Sequence, residues 1–119
     1  FFDLPQEGGS GEIDLLGRSD PGRIFVSNET LYPVGIQCFD TDTEEPTSPE
    51  VPVGPGEMKE VSGGVVRGDT DVRMEATVRI ADWTYTQSFL IWIDGDVTIH
   101  ITSASGNRIG YWEEYERWD

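Results

Sequence analysis

The sequence predicts an all-β domain, two antiparallel sheets packed face to face as a sandwich of about seven to eight strands. Three observations carry that expectation. From Asp71 to Ile80, Val72, Met74, Ala76, Val78 and Ile80 alternate with Arg73, Glu75, Thr77 and Arg79, the period of a strand with one buried face. Turn-forming residues recur roughly every eight to twelve positions, as in sandwiches and barrels. A helical period is found only in the tail.

Residues 1–22 read as a leader or edge-strand segment. Gln6-Glu7-Gly8-Gly9-Ser10-Gly11 has flexible linker composition, and Asp20-Pro21-Gly22 is a turn. Between them Ile13, Leu15 and Leu16 supply one short strand, which folds onto its own sandwich or pairs with a neighbouring subunit. The sandwich is expected over residues 23–112. Its first strand, Arg23–Ser27, places Ile24 and Val26 on one face. The second runs from Tyr32 to Phe39, with Pro33 at its start, where a missing N–H does little harm. Cys38 alternates with Val34 and Ile36, so it reads as a small core hydrophobe.

Asp40–Glu50 is a loop without periodicity, Val51-Pro52-Val53 a short edge strand, and Gly54-Pro55-Gly56 a turn. A third strand covers Glu57–Val61 and ends at Ser62-Gly63-Gly64, after which Val65 and Val66 tuck under the sheet. The long strand from Asp71, the apolar run Phe89–Ile93 and the alternating Val97–Thr102 are then expected as a three-stranded antiparallel meander. Ala81-Asp82 and Asp94-Gly95-Asp96 are its turns. Ala104-Ser105-Gly106-Asn107 leads into a last strand, Arg108–Trp112, and residues 113–119 form an aromatic, acidic tail. In the tail Tyr111, Tyr115 and Trp118 fall at helical spacing, while the same residues also read as a strand.

Two short stretches followed by the long alternating strand carry a resemblance. They are Ile24-Phe25-Val26-Ser27-Asn28 and Val53-Gly54-Pro55-Gly56-Glu57, with the Gly63-Gly64 break between them and the long strand. Over residues 23–102 the pattern resembles immunoglobulin-like β-sandwich domains, in particular those of haloarchaeal cell-surface proteins and lipoproteins. The resemblance implies a single immunoglobulin-like sandwich engaged in display, adhesion or assembly at a cell surface. The cysteine pair and core tryptophan of antibody domains are absent.

Charge points to the same habitat. The 119 residues include 23 acidic and 8 basic ones, a net charge of −15, and Lys59 is the single lysine. Self-repulsion of that size weakens a compact state in dilute buffer. At about 1 M salt the screening length falls to about 3 Å and most of the repulsion is removed. An acidic, lysine-poor chain is therefore expected to belong to a halophile. The charge disfavours nucleic acid and anionic membrane as partners. No apolar run is long enough to span a bilayer, and one cysteine excludes an internal disulfide or a Cys-rich metal site.

Chemistry-bearing residues are few. Asn28-Glu29-Thr30 is an N-glycosylation acceptor triplet, placed in a turn that should expose the Asn28 amide. Three Asp-x-Asp pairs stand out. With strands alternating in direction, Asp69, Asp71, Asp94 and Asp96 share one end of the sandwich and could hold calcium, while Asp40 and Asp42 fall at the opposite end near Asp82. The plainer reading is that acids are ordinary turn residues. His100, the single histidine, alternates onto the polar face, and a copper or zinc site would lack a second imidazole. No catalytic constellation is present, so no enzyme and no resident cofactor is expected.

The aromatics offer the better surface. Trp92 lies opposite Phe89, Ile91 and Ile93, so that strand is apolar on both faces. A second covering layer would bury Trp92; without one, Trp92 joins Tyr111, Trp112, Tyr115 and Trp118 as a platform for a protein or glycan. The expected role is a non-catalytic, extracellular or cell-surface interaction module. The rival is a homo-oligomeric surface assembly joined by strand addition through residues 1–18.

Overall fold

The computed structural model describes residues 20–105 and 108–116. Eight strands follow in order: β1 (Ile24–Asn28), β2 (Val34–Asp40), β3 (Val51–Val53), β4 (Met58–Glu60), β5 (Asp71–Ile80), β6 (Trp83–Trp92), β7 (Asp96–Ser105) and β8 (Arg108–Glu116). They form two four-stranded sheets, ordered β4-β1-β7-β8 and β3-β2-β5-β6. The all-β sandwich expected from the sequence is what the structure shows. Every pairing is antiparallel except β1 with β7, which run parallel from Ile24↔Val97 to Asn28↔Ile101.

The two-residue period turns one row of each strand into the core. Ile24, Val26, Val97, Ile99 and Ile101 from one sheet meet Ile36, Met74, Val78, Phe89 and Ile91 from the other, all buried. Each such side chain contributes about 1.5–3 kcal/mol of transfer free energy. Cys38 sits among them, and burial pushes its thiol pKa up to about 12, so it packs as an apolar group. Val53 of the short edge strand β3 is buried too, and Val66 packs against the core while Val65 stays half-exposed.

The meander expectation needs correction. β5 and β6 form a tight hairpin over Ala81-Asp82, with Ala81 at φ 53°, but β7 belongs to the opposite sheet. The Asp94–Gly95 segment carries the chain from one layer to the other, and the apolar rows Phe89-Ile91-Ile93 and Val97-Ile99-Ile101 line the core from opposite sheets. Side-chain hydrogen bonds pin this crossing: Asp94 Oδ1 accepts from the Asp20 N–H (3.2 Å) and Asp96 Oδ1 from the Arg23 N–H (2.9 Å). Gly22 lies so close that a Cβ on it would fall 2.0 Å from the Gly95 carbonyl oxygen, and Gly95 itself has φ 82°. Backbone of β1 thus competes successfully for β7.

Three further differences concern strand extent and position. β6 begins at Trp83 rather than Phe89, because polar Gln87 continues the inward row between Tyr85 and Phe89. β8 runs to Glu116, so the strand reading of the tail holds through residues 113–116 and the helical one does not. Its residues pair with β7 as far as Asp96↔Glu116, which satisfies the backbone without helical bonds. Asp40 pairs with Val72, which brings Asp40 and Asp42 to the end that carries Asp69 and Asp71, not to the opposite end beside Asp82. The leader strand over residues 12–18, the Gly106-Asn107 turn and Trp118 lie outside the described residues.

Each flank of the sandwich is tied across the sheets by one side-chain amide. On the flank of β3 and β4, Asn28 Nδ2 donates to the carbonyls of Tyr32 (2.7 Å) and Val53 (2.9 Å). On the flank of β6 and β8, Gln87 Nε2 donates to Ile109 O (3.2 Å) and Gln87 Oε1 accepts from Ile109 N (2.9 Å). Phe89 and Tyr111 add an edge-to-face contact there, with ring centroids 4.4 Å apart.

Candidate functional site

The outer face of the β4-β1-β7-β8 sheet gathers the unusual side chains. Because Val26 and Ile99 point inward, their neighbours Phe25, Ser27, Thr98 and His100 point out. The register then sets Phe25, Thr98 and Glu114 side by side, with Ser27, His100 and Trp112 in the adjacent row and Asp96 opposite Glu116. A cleft of about 500 Å3 opens over this surface, lined by Phe25, Met58, His100, Glu114, Tyr115 and Glu116 among others.

His100 is the centre of the arrangement. Its Nδ1 lies 2.6 Å from Glu29 Oε2 and its Nε2 2.7 Å from Glu114 Oε1. Both contacts are hydrogen bonds only when both ring nitrogens carry protons, so the geometry is that of an imidazolium held between two carboxylates. The bond to Glu29 does most to hold the His100 pKa above its ordinary value, partial burial opposes it, and the bond to Glu114 adds to it. The Trp112 indole stacks on the imidazole, centroids 4.0 Å apart and planes 4° from parallel, while half of the indole stays exposed. With both nitrogens engaged, His100 offers no lone pair for base catalysis or metal ligation in this arrangement. It orders the face instead, linking the turn after β1 to the edge strand β8.

The aromatic platform expected from the sequence is divided. Trp112 alone of its described members lies on this outer row. Tyr111 packs against Phe89 at the flank, and Tyr115, which lines one side of the cleft, donates its hydroxyl to Glu113 (2.9 Å). Burial, then Glu113, pushes the Tyr115 pKa well up, so the phenol stays protonated. Trp92 is 44% exposed on the outer side of the other sheet, because β6 is an edge strand with no further layer over it among the described residues.

Asn28 is a second correction. Its residue is fully buried, and its amide is engaged on both sides. Nδ2 donates as described above, and Oδ1 accepts from Thr30 N (3.0 Å) and Thr30 Oγ1 (2.7 Å). The Asn-Glu-Thr triplet therefore forms a structural turn, its threonine hydroxyl and its amide bonded to each other, and the expected exposure of the amide is not found.

The aspartates gather only in part. Asp69 and Asp71 share a hollow of about 350 Å3 with Asp40, Asp42, Arg67 and Trp92, while Asp94 and Asp96 accept backbone N–H groups at the sheet crossing. Asp42 lies 4.0 Å from Arg67. Among the described residues, no three carboxylate, imidazole or thiol groups come together as a metal-binding set.

The sequence reading missed the Glu29–His100–Glu114 clip. The signal was present in part, since His100 stands on the polar face of its strand. The parallel pairing that brings Glu29 beside it follows from the sheet crossing, which local patterns do not encode. No family model matches the chain, and no curated protein is similar to it at a significant level.

Proposed function

We propose that the domain is a non-catalytic interaction module carried at the surface of a halophile, and that its outer β4-β1-β7-β8 face contacts a hydroxyl-rich glycan. The observation that carries this reading is the composition of the cleft. Hydrogen-bond acceptors (Asp96, Thr98, Glu114 and Glu116) surround apolar and aromatic surface from Phe25, Met58 and Tyr115, and half-exposed Trp112 stacks on His100 at its side. Carboxylates accept from sugar hydroxyls, and an indole covers the apolar face of a sugar ring. The net charge of −15 disfavours anionic ligands on the same face. His100 supports the reading by fixing Glu114 and Trp112 before any ligand arrives, which lowers the ordering cost of binding. The resemblance to haloarchaeal surface domains, the acidic excess and the near absence of lysine support the habitat.

The test is glycan-array screening of the chain in about 3 M NaCl, where charge repulsion is screened, followed by titration of the hits. A neutral or cationic glycan should bind, and Trp112→Ala should weaken it about tenfold or more, the scale of a stacking contact. Absence of any glycan hit, or a hit indifferent to Trp112→Ala and Glu114→Gln, would overturn the assignment.

A further inference from the structure

The four edge strands are not protected alike. Edge strands invite pairing with another chain, and proteins blunt them with shortness, charge or proline. β3 has three residues and carries Pro52; β4 has three and carries Lys59 and Glu60. β8 is long but bears Arg108, Glu113, Glu114 and Glu116. β6 has ten residues, Trp-Thr-Tyr-Thr-Gln-Ser-Phe-Leu-Ile-Trp, with no charge and no proline in a chain that is 26% charged. Aromatic, threonine and β-branched residues of this kind are strong strand formers.

The backbone of β6 is also turned for pairing. Ile93, just beyond it, donates to Thr70 O (3.0 Å) and accepts from Asp69 N (3.3 Å), so odd-numbered residues address β5. By alternation the N–H and C=O groups of Thr84, Thr86, Ser88 and Leu90 face away from β5, and among the described residues no strand pairs with that side. The side chains of these four residues are exposed, Leu90 to 64%.

We infer that β6 is a docking edge for β6 of a second copy, the two strands running antiparallel across a two-fold axis near Ser88. The occupant follows from charge and length. Two chains of net charge −15 repel, and of the other edge strands β4 and β8 would set carboxylates against this edge while β3 has only three residues, one of them proline. A second β6 is uncharged, equally long and equally open. Centring on Ser88 places Thr86 opposite Leu90 of the other copy and Thr84 opposite its Trp92, pairs with no like charge. It also suits β8: Gln87 and Phe89 of β6 lie level with Ile109 and Tyr111, so the two-fold carries Arg108 of each copy to the level of Trp112 of the other, one residue from Glu113. Arg108 makes no ion pair with a described residue. The product is one continuous eight-stranded sheet; its seam lies along the β3-β2-β5-β6 layer, whereas the glycan-binding face proposed above is the outer side of the other sheet, and the two approach each other only at β8.

Sedimentation equilibrium of the full chain, from micromolar to millimolar, tests this in about 3 M and about 0.1 M NaCl. A dimer favoured by salt is expected. Ser88→Lys opposes two cations on the axis and should raise the dimer dissociation constant about tenfold or more, with the melting temperature recorded to show that the monomer stays folded. Ser88→Cys should cross-link between copies under mild oxidation, whereas the buried Cys38 should not. A monomer at every concentration in high salt would overturn the inference. So would a dimer indifferent to Ser88→Lys, or one that forms only after residues 1–19 are deleted, since that outcome would put the leader on this edge.

Discussion

The two flanks of the sandwich are closed by the same device and built to different standards. On the flank of β3 and β4, Asn28 is fully buried and its amide makes four hydrogen bonds, to Tyr32, Val53 and, twice, Thr30. A further bond crosses nearby, from Lys59 Nζ to Pro52 O (2.7 Å). On the flank of β6 and β8, Gln87 is only half-buried and its amide makes two cross-sheet bonds, both to Ile109. The first flank is short-stranded and sealed. The second is long-stranded and held by a tie that water can replace. One side of the sandwich is thus sealed, and the other ends, among the described residues, in long strands with an unpaired edge.

The largest effect should come from the sealed flank. Asn28→Ala strands buried acceptors and donors with no water to replace the amide, and a loss of about 3 kcal/mol or more is expected in denaturant unfolding at constant high salt. A loss below about 1 kcal/mol would mean that the flank rearranges, and the contrast between the two sides would fall with it. Gln87→Ala should cost about 1 kcal/mol, because removing this half-buried side chain opens a route for water to the Ile109 backbone groups. Equal costs for the two variants would erase the distinction. The smallest effect belongs to His100, which ties β8 to the turn beside Asn28. Its folded pKa is raised above 6.5, so its contribution is complete below pH 6.5 and disappears as pH rises through the raised value. Unfolding curves at pH 6 and pH 9 should differ by about 1 kcal/mol or less beyond the change seen in His100→Gln, given how exposed its carboxylate partners are. An identical pH response in the variant would remove the clip from the account.

Strand positions were legible wherever burial enforced a period of two. Val72–Ile80 and Val97–Ile101 were read correctly because their inward rows are unbroken. Trp83–Ser88 was not, since Gln87 interrupts the inward row for the sake of Ile109, a partner remote in sequence. The sheet assignment of β7 was equally hidden. Asp94-Gly95-Asp96 has the composition of a hairpin turn, and only the bonds from Asp20 and Arg23 reveal that it is a crossing. Of the candidate site, Trp112 was visible as a tail aromatic. Its stacking on His100, and the engagement of Glu29 and Glu114, depend on cross-strand register. Asn28 shows the reverse: the turn at Asn28–Thr30 is local, but the burial of its amide against Val53 depends on a strand remote in sequence.

The parallel pairing of β1 with β7 has a consequence for how the domain comes into being. The residues that fasten β1 to the sheet crossing, Arg23 and Asp96, stand 73 positions apart. Contacts of such sequence separation form late and slow the search for the native topology. While the chain is being synthesised, the β5–β6 hairpin and its neighbour β2 can assemble first, but β1 has no β7 to join until most of the domain has been made. Until then β1 can pair along one side only, with β4. Self-repulsion from an acidic chain then serves a nascent polypeptide as well as a finished one, by keeping unfinished copies apart.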